Sequence, residues 1–126
     1  MASNNGITST FISLILFLSL FVSAGNCKVT VEIINTMKAD ITVHCKSKDD
    51  DLGFHTLKTN KSYQFRFNPR IIFGRTLYYC SFIWSGVHEL LYLDVYDQAH
   101  DKCDVCLWRI SYLGGRLNDG EIIPWK

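Results

Sequence analysis

The stretch HCKSKDDDLG, residues 44–53, places His44, Cys45, Lys46, Lys48 and the run Asp49-Asp50-Asp51 within ten positions. Three kinds of chemistry could use such a set. Clustered carboxylates suit calcium, which favours an oxygen-rich shell. The D-x-[DN]-x-[DN]-G calcium-loop pattern is absent, however, and Lys46 and Lys48 offset the negative field. A hydrogen-bonded acidic turn is the expected form, because Asp side chains bond readily to nearby backbone N–H groups. Zinc would need four N or S ligands. Here His44 and Cys45 are neighbours on an extended segment and face opposite ways. A reactive thiol is the third option, and Cys103-Asp104-Val105-Cys106 has the matching C-x-x-C spacing. A redox pair of that kind needs a helix N-terminus to lower the thiol pKa, whereas here the second cysteine opens a strand pattern. Disulfide partnership is therefore the expected use of these cysteines, with no metal and no cofactor.

Hydrolytic chemistry finds no framework. His44, His55, His88 and His100 lack partners at motif spacing, and Ser85-Gly86 is not set in a G-x-S-x-G elbow. Asp94 and Asp97 read as surface carboxylates at a strand end. A non-catalytic protein is expected; a pocket joining a histidine to a carboxylate of strongly shifted pKa would be the contrary sign.

The elements that must position these residues alternate with period two. Val29, Val31 and Ile33 share a face of VTVEIIN, and Ile41, Val43 and Cys45 share one of ITVHC. Tyr63, Phe65 and Phe67 follow, then Tyr78, Cys80, Phe82 and Trp84, the apolar run ELLYLDVY, and Cys106, Trp108 and Ile110. Short runs of this type, broken by Asn, Asp, Gly and Pro, signal strands. Six or more of them in about 100 residues predict an all-β fold, a small antiparallel β-sandwich or barrel. Trp84, Trp108 and the phenylalanines would fill the space between sheets. The connections left over span residues 46–53, 68–75, 85–88 and 97–104.

Residues 11–22, FISLILFLSLFV, are too short for a comfortable bilayer span, which takes about 20 apolar residues. Followed by Ser23-Ala24-Gly25-Asn26, they read as a secretory signal peptide over residues 1–25, cleaved between 24 and 27. Residues 28–126 then form one domain, with no later segment suited to membrane insertion. The formal charge of +1, with both signs interspersed, argues against nucleic-acid binding. In a small secreted chain the five cysteines are bridge candidates. Two bridges are expected, with Cys103 and Cys106 each reaching a distant partner, Cys45 or Cys80. The local alternative, Cys103–Cys106 with Cys45–Cys80, stays open. Asn60-Lys61-Ser62 is an N-glycosylation sequon in a polar turn.

Taken in order, these segments resemble the plant self-incompatibility S-protein homologues. The resemblance rests on Val31-x-Ile33-x-Asn35, the 44–53 signature, His55-x-Leu57, Tyr63-x-Phe65-x-Phe67, Thr76-Leu77-Tyr78-x-Cys80-x-Phe82-x-Trp84 and Cys103-x-x-Cys106-x-Trp108-x-Ile110. It implies a β-sandwich with two disulfides made from Cys45, Cys80, Cys103 and Cys106. It also implies a role like that of the founding member, a pistil-secreted ligand recognised by a pollen membrane protein and acting by signalling. Cys27, the segment Gln98-Ala99-His100-Asp101 and the tail RLNDGEIIPWK depart from the family pattern.

The expected partner is a plant cell-surface membrane receptor, met by a monomer through its charged loops. The nominated contacts are Lys46, Lys48, Asp49, Asp50 and Asp51 on one loop, and Asp97, His100, Asp101 and Lys102 on another. The competing expectation is an apoplastic or defence protein that binds a carbohydrate, lipid or microbial surface. Exposed Trp or Tyr on a sheet face would favour it, and Trp125 is the aromatic nominated.

Overall fold

The computed structural model describes residues 28–70 and 74–126. The leader with its cleavage positions, and Cys27, lie outside them. Nine strands form among the described residues: β1 (Val29–Asn35), β2 (Ile41–Lys46), β3 (Asp51–Leu57), β4 (Ser62–Phe67), β5 (Leu77–Trp84), β6 (Leu91–Asp97), β7 (Val105–Ser111), β8 (Gly114–Leu117) and β9 (Ile122–Pro124). They make two sheets, one ordered β4-β1-β7-β8-β9 and the other β3-β2-β5-β6.

The alternation seen in the sequence becomes the inside and outside of each sheet. In β2, Ile41, Val43 and Cys45 are sealed in the core while Thr42, His44 and Lys46 face outward. In β7, Cys106, Trp108 and Ile110 are buried in the same alternating way. Val31 and Ile33 from the five-stranded sheet meet Ile41, Val43 and Phe82 from the four-stranded one, all fully excluded from solvent. Full burial of such a side chain contributes about 1.5–3 kcal/mol. The indole Nε1–H of Trp108 donates to the Val95 carbonyl at 2.8 Å, so the largest core side chain also ties β7 to β6 across the layers. Trp84 is only half-buried, and Phe54 lies outside the core altogether.

Three features differ from the expectation. Every strand pairing is antiparallel except β1 with β7, which run parallel with Val31 opposite Cys106 and Ile33 opposite Trp108. The disulfides are Cys45–Cys80 and Cys103–Cys106, so the pairing of Cys103 and Cys106 with distant partners is corrected. Cys45 and Cys80 face each other directly on neighbouring strands β2 and β5, with Cα atoms 4.0 Å apart. Their sulfurs meet within one sheet, leaving neither to cross the core. Strand alternation had assigned both to the inner face, but a face does not say which strand lies alongside.

The third difference is the C-terminal tail. Gly114 and Gly115 open β8, and β9 pairs tightly beside it: a Cβ at Gly114 would sit 2.0 Å from the Ile123 carbonyl oxygen, and one at Gly115 2.7 Å from Leu93 of the other sheet. Beyond β9, Trp125 packs on Phe82 and Trp84 with ring centroids 5.1 and 5.7 Å away. Its indole N–H donates to the Tyr112 carbonyl, and the Lys126 N–H donates to the Tyr92 carbonyl on β6, both at 3.0 Å. The tail therefore straps one sheet to the other.

Candidate recognition surface

Strand directions bring the β2–β3 turn, the β4–β5 connection and the β6–β7 loop to one end of the sandwich. Lys46 ends β2 opposite Tyr79 near the start of β5, and Leu77 pairs with Asp97 at the end of β6. Phe67 ends β4 with its ring 4.5 Å from that of Tyr78, joining the two sheets beneath this end.

The β2–β3 connection is shorter than the sequence suggests. Only residues 47–50 turn, because Lys46 and Asp51 already pair as strand residues after a bulge. The turn is closed by the Ser47 N–H donating to the Asp50 carbonyl at 2.8 Å and the Asp50 N–H donating to Ser47 Oγ at 3.1 Å. Its three aspartates then diverge, as expected of a turn and unlike a calcium cage. Asp49 pairs with the Arg70 guanidinium, and Asp50 accepts from the Tyr78 hydroxyl at 3.1 Å. Asp51 accepts from the Gly53 N–H at 3.0 Å and lies 2.5 Å from His44 Nε2. These contacts hold the Asp51 carboxyl below its ordinary pKa, the Gly53 N–H foremost and His44 next, with the Lys46 charge helping. Burial lifts the Tyr78 phenol above its usual value, and the hydrogen bond and charge of Asp50 add to this.

The β6–β7 loop is fixed in the same way. Asp97 accepts from the Ala99 N–H at 3.0 Å, and Asp101 accepts from the Asp97 N–H at 2.6 Å. Arg75 Nε lies 3.4 Å from Asp97, whereas His100 is largely exposed with Nε2 3.9 Å from the same carboxylate. Gln98 couples this loop to the β4–β5 connection: its side-chain carbonyl accepts from the Thr76 N–H at 2.8 Å while its amide donates to the Arg70 carbonyl.

Lys48, Asp49 and Asp50 thus border a cleft of about 640 Å³, together with Arg66, Arg70 and Tyr78. Asp97 and Asp101 anchor the loop beside it. Lys46 and Asp51 instead belong to the outer face of the four-stranded sheet, and Lys102 is exposed with no ion pair among the described residues. Sequence reasoning passed over Arg66, Arg70 and Arg75. Their clustering around Asn68-Pro69 was a visible signal, but the partner that makes them a surface, Asp49, lies 21 residues away from Arg70.

Other nominated residues lie elsewhere. Asn60 sits at the opposite end, exposed, in a turn with φ of 65° that asparagine tolerates. Its backbone N–H donates to the Asn35 carbonyl at 2.7 Å. Trp125 is half-buried in the strap and presents no open platform. His44 does meet a carboxylate, a contact the motif search did not foresee. The neighbouring Ser81 Oγ, however, is directed to the His44 carbonyl at 3.5 Å. Among the described residues no three His, Cys, Asp or Glu side chains cluster to hold a metal, and no helix is long and apolar enough to cross a membrane.

The family model for plant self-incompatibility protein S1 matches residues 30–120. S-protein homolog 2 of Arabidopsis thaliana is 48% identical over 100 residues, covering 73% of this chain. The alignment spans 62% of that relative's length. S-protein homolog 29 from the same plant is 32% identical, with 94% of this chain and 98% of the relative covered. A solved structure of self-incompatibility protein homologues, described as a widespread family of small, highly stable, secreted plant proteins, shares the fold. Its TM-score is 0.56 at 18% identity, covering 82% of this chain and 98% of that one. The family match ends at residue 120, just before β9, so the strap lies beyond it. The chain belongs to the plant self-incompatibility protein S1 family, the secreted S-protein homologues.

Proposed function

We propose that this secreted protein is a non-catalytic extracellular ligand that binds a plant cell-surface receptor through the loop-bearing end of its sandwich. The observation that carries this reading is a cleft where Lys48, Asp49 and Asp50 of one nominated loop meet Arg66 and Arg70, with the other nominated loop tied to its edge through the Gln98 side chain. Exposed ion pairs such as Asp49–Arg70 are worth only about 0–1 kcal/mol each. A partner can exchange them for its own charges at little cost, and an interspersed pattern of both signs selects by complementarity more than by bulk attraction. His100, Asp101 and Lys102 form the rim of the same contact. Cys45, Cys80, Cys103 and Cys106 are engaged in bridges, and Ser81 Oγ is directed to the His44 carbonyl and not to its ring, which favours recognition over turnover.

A glycan on Asn60 would stand at the far end and leave the loop end clear. The protein acts as a monomer in this scheme. Binding of fluorescent protein to intact plant protoplasts tests it. The reading requires saturable binding that vanishes when the cells are first treated with protease. Binding that never saturates, or that survives the protease, would count against a protein receptor.

A further inference from the structure

The outer face of the four-stranded sheet carries a second feature, which adjoins the loop-end cleft at Tyr79. One rung crosses all four strands: Phe54 of β3 pairs with His44 of β2, His44 with Ser81 of β5, and Ser81 with Tyr92 of β6. Phe54 is 72% exposed and its ring centroid lies 4.0 Å from that of His44. On the next rung Tyr79 pairs with Lys46 and Asp94, which makes Tyr79 a diagonal neighbour of Tyr92. Tyr79 and Tyr92 are both more than a third exposed. Between them lies a hollow of about 200 Å³, lined by His44, Lys46, Tyr79, Ser81, Leu90 and Tyr92.

From this arrangement we infer that the hollow is a binding site for an acidic sugar, a hexuronate unit of an extracellular oligosaccharide. The volume is below the ~300–1,000 Å³ of pockets that enclose drug-sized ligands, so it takes one ring while the rest of a chain runs over the flat sheet. Aromatic faces carry negative charge density and attract the C–H-rich face of a pyranose, and tyrosine adds a hydroxyl at the edge. Ser81 Oγ makes only a 3.5 Å contact with the His44 carbonyl, too long to saturate it, and so remains available to a sugar hydroxyl. Charge selects the acid. Lys46 makes no ion pair among the described residues, while the two rim carboxylates are engaged, Asp51 by His44 and Asp94 by Lys126. The hollow itself holds no carboxylate, so a uronate carboxylate meets an ammonium with no competitor.

Titration of the secreted protein with α-1,4-linked trigalacturonic acid, followed by backbone amide shifts, tests the inference. Its methyl ester and a neutral galactose trimer serve as controls. The expected result is saturable shifts at Tyr79, Ser81 and Tyr92, weakened at least 5-fold by Tyr92→Ala. Lys46→Gln should bring the acid trimer down to the level of the neutral one, with the melting curve of the protein unchanged. Absence of saturable shifts, equal binding of acid and neutral trimers, or shifts confined to the Arg66 and Arg70 cleft would each overturn it.

Discussion

The two ends of the sandwich are built by opposite means. At the end that carries Asn60, the side chain of Asn35 is fully buried. It donates to the carbonyls of Ala39 and Leu57 at 2.8 and 2.9 Å and accepts from the Met37 N–H at 2.9 Å. Thr59 Oγ1 donates to the Met37 carbonyl at 2.7 Å, and the C-terminal strap packs Trp125 onto Trp84 nearby. At the other end the turns are closed by ion pairs that reach the surface: exposed Asp49 with Arg70, and largely buried Asp97 with exposed Arg75. Buried hydrogen bonds are expensive to break because their partners lose water as well, whereas exposed ion pairs exchange freely with solvent and salt. One end is therefore held by buried bonds that are costly to break, the other by surface charges that exchange readily with solvent.

The largest expected effect asks what keeps the open end rigid, given that its ion pairs are weak. The Cys45–Cys80 bridge closes 35 residues just beneath it, while Cys103–Cys106 closes only 3. Loop-closure entropy assigns roughly 4 kcal/mol to the first and under about 2 kcal/mol to the second. Urea unfolding should show that difference between Cys45→Ala/Cys80→Ala and Cys103→Ala/Cys106→Ala. Equal losses would mean that the bridge beneath the loops is not what braces them.

Next come two substitutions at the closed end. Asn35→Ala strands two carbonyls and an N–H in the core and should lower stability by about 3 kcal/mol. Gly114→Ala forces a Cβ against the Ile123 carbonyl at a φ of 145° and should cost a similar amount, about 2–4 kcal/mol. In a domain of this size that is a fall in Tm of more than about 8 °C. A shift of under 2 °C in thermal melts, on the order of 0.5 kcal/mol or less, would show that the strap and the buried asparagine are dispensable. At the open end, Asp49→Ala and Arg70→Ala should each change stability by less than about 1 kcal/mol. The difference from the parent should shrink further in 1 M salt, where screening acts within about 3 Å.

The sequence made the core faces legible and the neighbours illegible. The alternation in β2 and β7 predicted which of Ile41, Val43, Cys106 and Trp108 point inward. It could not predict that Cys45 would lie beside Cys80, nor that β1 and β7 run parallel, because pairing is set by packing between distant segments. β8 and β9 escaped notice because Gly-Gly and Ile-Ile-Pro do not alternate; Gly115 is buried by contact with Leu93 of the other sheet, and β9 is exposed throughout. The two charged loops were found from composition. The meeting of Asp49 with Arg70 was not, since only the fold brings residues 21 apart into an ion pair.

The smallest effects are those of pH, and they too differ between groups. Burial holds the phenols of Tyr63, Tyr78 and Tyr96 above the ordinary value of 10.0. The unfolded chain ionises first, so their contribution is intact below pH 10 and is lost as pH rises through the folded values. Asp51, shifted down from 3.8, has the opposite sign: its contribution is present above 3.8 and fades as pH falls through its lowered pKa. Urea midpoints measured from pH 2 to 11 should therefore decline at both extremes. Tyr78→Phe should soften the alkaline decline, and Asp51→Asn should soften the acid one slightly, because Asp51 is exposed.

The central claim is that the open end binds and the closed end only supports. Its most direct measurement compares two proteins for binding to plant plasma-membrane vesicles. One carries Lys48→Ala, Asp49→Ala and Arg70→Ala at the loop end; the other carries Lys38→Ala and Lys58→Ala, exposed lysines at the closed end. The account predicts at least 10-fold weaker binding for the first, with Tm within a few degrees of the parent, and unchanged binding for the second. Parental affinity in the loop-end variant, or a loss confined to the closed-end variant, would contradict it.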